Sequence, residues 1–348
     1  MRRRRCRARF PLPDLPLVGA GADPSEVLDD LLAAGHGDGL PVLPPTAARL
    51  SSMLAGVAEP DVVLGLVPPL FGELSARAVA WYALLAGCRP AELPLVVAAV
   101  RAALEDRFNL LGIATTTGAP AVAVLVHGPS GLTSGAGGLG VGNRANACVG
   151  RAVSLALAGI GGATAGLTDM ATIGSPAKYT CCTAEVLDGP LPSLAVRRGL
   201  AAGQPAVTVV GVGSVLEVLP AEGYRDAPDV FGPAAAAMAG VARAAGDPRR
   251  AALGEQFLLV PPEMASFVAA RGWDAERIAG FLFERGNAVL RTGAAALGAA
   301  QDVVEGLTVA ASAAEVHVVV TGGAGVKMQL LPGWMGGTRS VTVPVLPV

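Results

Sequence analysis

Three segments of this 348-residue chain share one form, a β-branched run that empties directly into glycines. Ala121 to Val126 leads into His127-Gly-Pro-Ser-Gly131, Ala206 to Val210 into Gly211-Val-Gly213, and Val316 to Val320 into Thr321-Gly-Gly-Ala-Gly325. Uncharged runs of this length fit strands buried on both faces, and a glycine turn at the carboxyl end reverses the chain without a Cβ clash. Ala-rich stretches surround them. The expectation is an α/β fold, with mixed or parallel sheet strands ending in Gly-rich turns and packed by Ala-rich helices, in two subdomains. A Pro/Gly/Arg-rich passage over residues 189–205 marks the break. It separates a first α/β domain (21–195) from a second (196–348), with an Arg-rich tail over 1–20.

Helix punctuation is clear in the first third. Asp23 can cap a helix that has Pro24 at its first position, Glu26 completing a capping box and Gly35 as its stop. Thr46 and Ser75 are further N-caps, and a fourth helix is expected from Pro90 to about Arg107. Later helices are expected near 234–245, 262–270, 274–285 and 288–299.

Composition excludes several classes. With 52% hydrophobic and 16% charged residues the chain is not disordered. Residues 108–143 carry no Asp, Glu, Lys or Arg, but nine glycines and two prolines leave no room there for a ~20-residue apolar span. No membrane partner is expected. Six of the first nine residues are arginine, and no apolar secretion core follows them, so the expected location is cytoplasmic. Outside those six the net charge is −8, which argues against a nucleic-acid surface. Five cysteines without a CxxC pair make neither a disulfide framework nor a sequence-local zinc site. No metal is expected, although one assembled from distant residues stays open.

The chain uses 24 Arg but only two Lys, four Asn, four Ile, three Tyr and five Cys, and half of these 18 rare residues fall between Gly142 and Cys182. There a Gly-rich stretch, Ser134 to Gly142, opens a helix at Asn143-Arg144-Ala-Asn146, with Arg151 further on. Free backbone N–H groups and a positive helix end suit a phosphate or carboxylate. Gly142, Asn143, Arg144, Asn146 and Arg151 are therefore substrate-binding candidates, with surface ion pairs as the alternative for the two arginines. Gly322, Gly323 and Lys327 of the last glycine turn join them. The GxGxxG match at Gly135, Gly137 and Gly140 lacks its preceding strand, and the 321–327 segment is too short for a P-loop. No cofactor is implied: heme, flavin and nicotinamide have no supporting motif.

Lys178-Tyr-Thr-Cys-Cys-Thr-Ala-Glu185 reads as a short strand with Lys178, Thr180 and Cys182 on one face and Cys181, Thr183 and Glu185 on the other. A Lys beside a thiol favours the thiolate, which makes Cys182 a nucleophile candidate. Cys88, next to Arg89 and ahead of a helix, is another. Either could equally be a small core residue. Asp38 and Glu185 are the acid/base candidates.

The blocks Asp38-Gly-Leu-Pro-Val-Leu-Pro-Pro-Thr46, Ala86-Gly-Cys-Arg-Pro90, Gly142-Asn-Arg-Ala-Asn146 with Gly150-Arg151, Lys178 to Glu185 and Val320-Thr-Gly-Gly-Ala-Gly325 resemble a bacterial family associated with small thiol or selenol proteins that bear a U/C-Gly-Ser-Cys motif. The family pattern has Thr at position 148 and a single cysteine, at 182, in the 181–182 pair. The resemblance thus implies sulfur or selenium chemistry on a small molecule, favours Cys88 and Cys182, and suggests a small thiol/selenol protein as partner.

Three functions follow as expectations. The first is an enzyme that binds an anionic or carbonyl-bearing small molecule at its Gly-rich loops and attacks it with a cysteine thiolate. The second is a lyase, isomerase or cyclase that works by proton transfer, its cysteines being structural. The third is a non-catalytic partner subunit of a small thiol protein. The small-residue helices would allow a homodimer.

Overall fold

The computed structural model describes residues 15–140 and 142–348. The leading arginines and Cys6 lie outside the described residues. Asp23 caps α1 (Pro24–Ala33) by accepting from the N–H groups of Ser25 (2.8 Å) and Glu26 (3.3 Å). Gly35, at φ 82°, ends the helix, with the His36 N–H donating back to the Leu31 carbonyl at 2.8 Å. Thr46 caps α2 (Ala47–Met53), and Ser75 caps α3 (Ala76–Leu85) after the hairpin of β1 (Gly65–Val67) and β2 (Gly72–Leu74). α4 (Leu93–Ala103) ends short of the expected Arg107, and α5 (Leu110–Thr115) follows.

The sheet-forming part then runs β3 (Ala121–His127), α6 (Arg144–Gly161), β4 (Cys182–Ala184), α7 (Leu194–Arg197), β5 (Ala206–Val212) and β6 (Leu216–Val218). It continues with α8 (Ala227–Ala244), β7 (Gln256–Val260), α9 (Pro262–Ala269), α10 (Ala275–Ala296), α11 (Gln301–Gly306), β8 (Val316–Val320), β9 (Met328–Pro332) and β10 (Val341–Pro344). Two helices were expected between 274 and 299, but α10 runs through. Gly286 is not a stop: a Cβ there would stand 3.1 Å from Val309, and the neighbouring Asn287 accepts the Val309 N–H at 2.8 Å. The glycine serves close packing. The expected strand from Lys178 is likewise only β4, because Pro176 starts a 3-10 turn that ends at Lys178.

Both four-stranded sheets are mixed and have the same plan. In one, β10-β5-β3-β4, the pair β3/β4 is parallel and the other neighbours antiparallel; in the other, β6-β9-β7-β8, β7/β8 is the parallel pair. The halves exchange a strand. β6 follows β5 but pairs with β9, while β10 follows β9 but pairs with β5. The expected division at 195/196 therefore does not follow the sheets, since β5 and β10, both beyond it, complete the sheet of β3 and β4.

Period-two alternation builds the layers. On β3, Val122, Val124 and Val126 join the core under α3, α4 and α6, whereas Ala121, Ala123 and Leu125 meet Phe257, Leu259, Val319 and Leu331 of the other sheet. Leu258, Val260, Val318 and Leu330 face α8 and α10. The order is helices, sheet, sheet, helices, and each fully buried Val or Leu contributes about 1.5–3 kcal/mol. No helix among the described residues is long and apolar enough to cross a membrane.

Candidate functional site

The blocks around Asp38, Cys88 and Lys178 converge on the first half of α6. Arg151 holds Asp38 through Nε to Oδ2 (2.8 Å) and Nη2 to Oδ1 (2.7 Å), and donates to the Leu40 and Pro41 carbonyls. Arg144 donates to the Gly87 carbonyl at 2.9 Å and pairs with Glu92. Thr180 Oγ1 donates to the Ala147 carbonyl at 2.8 Å, and Gly150 permits this approach, since a Cβ there would meet Thr180 Oγ1 at 2.5 Å and Cys182 Cβ at 3.0 Å. Arg144, Arg151 and Asp38 were candidates for substrate binding and proton transfer. They are instead engaged within the protein, Arg151 with Asp38 and Arg144 with Glu92, and both arginines also donate to protein carbonyls, because a guanidinium fork takes the nearest carboxylate.

The asparagines shape the glycine loop. Asn143 does not cap α6 through its side chain; its Nδ2 donates to the Ala136 carbonyl at 2.8 Å. Asn146 is fully buried, donates to the carbonyls of Thr133 (2.8 Å) and Gly138 (3.1 Å), and accepts from the Thr133 N–H (3.2 Å). Gly142, at φ 104°, turns the chain into the helix.

The thiols differ from expectation. Burial pushes Cys88 and Cys182 well up and Cys181 to about 12. Lys178 does not activate Cys182, because its Nζ pairs with Asp169 Oδ2 at 2.5 Å. Cys88 and Cys182 nevertheless come within electrostatic range of each other, with Cys148 beside Cys88. Cys148 is half-buried; burial raises its pKa, and the facing Arg144 guanidinium opposes that rise.

On its other side the 134–142 loop meets the 321–327 loop. The Gly322 N–H donates to the Ser134 carbonyl at 2.7 Å, and a Cβ on Gly323 would stand 2.8 Å from that of Ala136. Between the loops lies a cleft of about 320 Å³, whose wall includes Gly138, Thr183, Thr321, Gly323, Lys327 and Gln329. It opens where the parallel pairs of both sheets end, the position at which α/β sheets collect ligands. Thr183 and Thr321 share a hydrogen bond of 2.9 Å. Gln329 Oε1 is buried and has no hydrogen-bond partner among the described residues. Among the described residues no hydrogen bond uses the backbone N–H of Gly323, Ala324, Gly325 or Val326. Lys327 reaches Glu217 at 3.3 Å, both exposed at the rim. Of the expected binding residues, Gly322, Gly323 and Lys327 line this cleft, and Asn143 and Asn146 support its wall. Thr183, Gln329 and Glu217 went unnoticed in the sequence; only the alternation around Cys182 hinted at Thr183.

Glu185 is buried between the sheets, where its Oε2 takes His127 Nδ1 (2.7 Å) and the Leu194 N–H (2.9 Å). His127 Nε2 meets Thr208 Oγ1 at 2.7 Å, Thr208 meets Thr342 at 2.7 Å, and Arg198 donates to Thr342 at 2.9 Å. The chain can run in one direction, from Arg198 through both threonine hydroxyls to the Glu185 carboxylate, with His127 donating from Nδ1. Glu185 is therefore part of the inter-sheet framework, not a group facing the cleft. Farther along, ligand atoms of Glu255, Glu315 and His317 lie within 4.8 Å of one another. Arg198 Nη2, 3.1 Å from His317 Nε2 and 3.4 Å from Glu255 Oε1, already supplies positive charge there. The residues do not suit a metal ion.

A larger trough of about 1020 Å³ runs between α4 and the 343–348 segment, but none of the expected site residues lines it. Neither a scan against protein-family models nor a search of curated proteins finds a match to this chain.

Proposed function

We propose that this chain is a small-molecule enzyme of lyase or isomerase type that takes an anionic or carbonyl-bearing substrate into the cleft between its two glycine-rich loops. The observation that carries this reading is the run of four backbone N–H groups, from Gly323 to Val326, that find no acceptor among the described residues, beside Lys327. Successive free amides and one ammonium suit a carboxylate, a phosphate or a carbonyl oxygen that gains negative charge during reaction. A volume of about 320 Å³ admits a metabolite but not a dinucleotide. Thr183 and Thr321, whose hydroxyl protons go to Thr321 and to the Ala184 carbonyl, can accept from a substrate hydroxyl, Gln329 offers an orienting amide, and Lys327, paired with Glu217, brings positive charge to the rim. The substrate is a diffusible one, met in the cytoplasm.

The test is calorimetric titration of the full chain with small carboxylates, phosphates and keto acids, alongside Lys327→Met. Binding by the parent that weakens at least tenfold in the variant supports the reading. Failure of every such compound to bind sinks it.

Covalent thiol chemistry, as the resemblance to the thiol-associated family implies, is a second reading, favoured by the gathering of Cys88, Cys148 and Cys182 behind the same loop. It requires substrate binding to ionise a buried thiol. Turnover that survives Cys88→Ser and Cys182→Ser would remove it.

A further inference from the structure

Where α3 ends against the start of α6, two thiols come within electrostatic range of each other, a pairing that the leading reading of the cleft does not require. Gly87, in the left-handed region at φ 88°, closes α3, and Cys88 follows it. From the other side, α6 brings Cys148, whose Sγ lies 3.3 Å from where a Cβ on Gly87 would stand. Arg144, one turn before Cys148, clamps this junction by donating to the Gly87 carbonyl and pairing with Glu92, so the two backbones are held at close range. The thiols are unequally accessible. Cys88 is 7% exposed, whereas Cys148 is half-buried at the surface of α6. No disulfide is present among them; both are free.

We propose that Cys148 and Cys88 form a peroxide-oxidisable dithiol, with Cys148 as the thiol that meets the oxidant and Cys88 as the one that resolves it. Cys148 attacks a peroxide oxygen, the O–O bond breaks, and one water leaves as the thiol becomes a sulfenic acid. Cys88 then attacks the sulfenic sulfur, a second water leaves, and the S–S bond forms. Two thiols lose two electrons and two protons, and hydrogen peroxide is reduced to two waters. The accessible position and the facing Arg144 guanidinium favour Cys148 for the first step, and burial protects Cys88 from it. The bond would fasten the end of α3 to α6, the helix that carries the 134–142 loop, and so couple oxidation to the wall of the cleft. The proposal does not depend on what the cleft binds.

The full chain is treated with increasing hydrogen peroxide, blocked with N-ethylmaleimide under denaturing conditions, and mapped by mass spectrometry. The expected product is a Cys88–Cys148 linked peptide, 2 Da below the sum of its parts, together with a melting temperature that rises and reverts on dithiothreitol. Cys88→Ser should stop at the sulfenic or sulfinic acid on Cys148, and Cys148→Ala, whose fold is checked by its circular dichroism, should give no link. Cys181→Ser should form the link as the parent does. A link that joins Cys148 to Cys182 instead, or Cys148 over-oxidised in the parent while Cys88 stays reduced, overturns the assignment.

Discussion

Arg151 and Asp38, 113 residues apart in sequence, meet through two hydrogen bonds of 2.8 and 2.7 Å, with their side chains only 15 and 17% exposed. This contact fixes the 36–46 segment against α6. Removing one partner leaves a largely desolvated charge, so Asp38→Ala should cost about 3 kcal/mol. Arg151→Lys should recover little, since an ammonium cannot reproduce the fork or serve the Leu40 and Pro41 carbonyls as well. Urea unfolding of the singles and the double variant measures the coupling. Additive effects would show the pair to be incidental.

The inter-sheet chain makes a second prediction. His127→Phe fills the space but strips Glu185 of its imidazole and Thr208 of its acceptor, at a cost of about 4 kcal/mol. Thr208→Val removes a hydroxyl without stranding a charge and should cost about 1–2 kcal/mol. If both substitutions cost the same in chemical denaturation, Glu185 is not held by His127 in the way the geometry implies.

Stability should fall on acidification in two steps. Burial, with Arg198 adding to it, holds His317 below its ordinary 6.5. Below that value the unfolded chain takes up a proton that the native state refuses, so stability is lost as pH falls from about 6.5. Burial pushes Glu255 up, but hydrogen bonds from His317 and Ser340 pull it below its ordinary 4.5. Its contribution is complete above 4.5 and is lost as pH drops through the folded value. The urea midpoint should therefore decline as pH falls below about 6.5 and decline further below 4.5. His317→Gln should flatten the first decline; an unchanged slope would mean that another group causes it.

Two glycines are required by approach, and their substitution should act differently. A Cβ on Gly72 would lie 1.9 Å from the Ile160 carbonyl oxygen, a backbone atom that cannot rotate away. Gly72→Ala should cost about 3 kcal/mol in thermal unfolding. At Gly323 the added methyl would press on Ala136 across the two loops, so Gly323→Ala should weaken small-anion binding more than it lowers the melting temperature. A variant that binds as the parent does would separate the cleft from the loop contact.

Much of this molecule is local, and the sequence carries it. The caps at Asp23, Thr46 and Ser75, the buried runs at 121–126, 206–210 and 316–320, and the glycine loop that opens α6 follow from side-chain hydrogen bonding, alternation and φ preference within a few residues. Those forces act between chain neighbours, so an α/β fold with glycine-ended strands was legible. The roles of charged and thiol groups were not. Whether Arg151 waits for a substrate or grips Asp38, whether Lys178 faces Cys182 or Asp169, and whether Gly286 stops a helix or lets Val309 approach depend on partners brought in from distant segments. The exchange of β6 and β10 between the sheets is invisible in any local pattern, and so is the meeting of the 134–142 and 321–327 loops at one mouth. Burial then decides protonation: desolvation by the assembled layers, not the neighbouring residue in sequence, holds Cys88 and Cys182 as thiols.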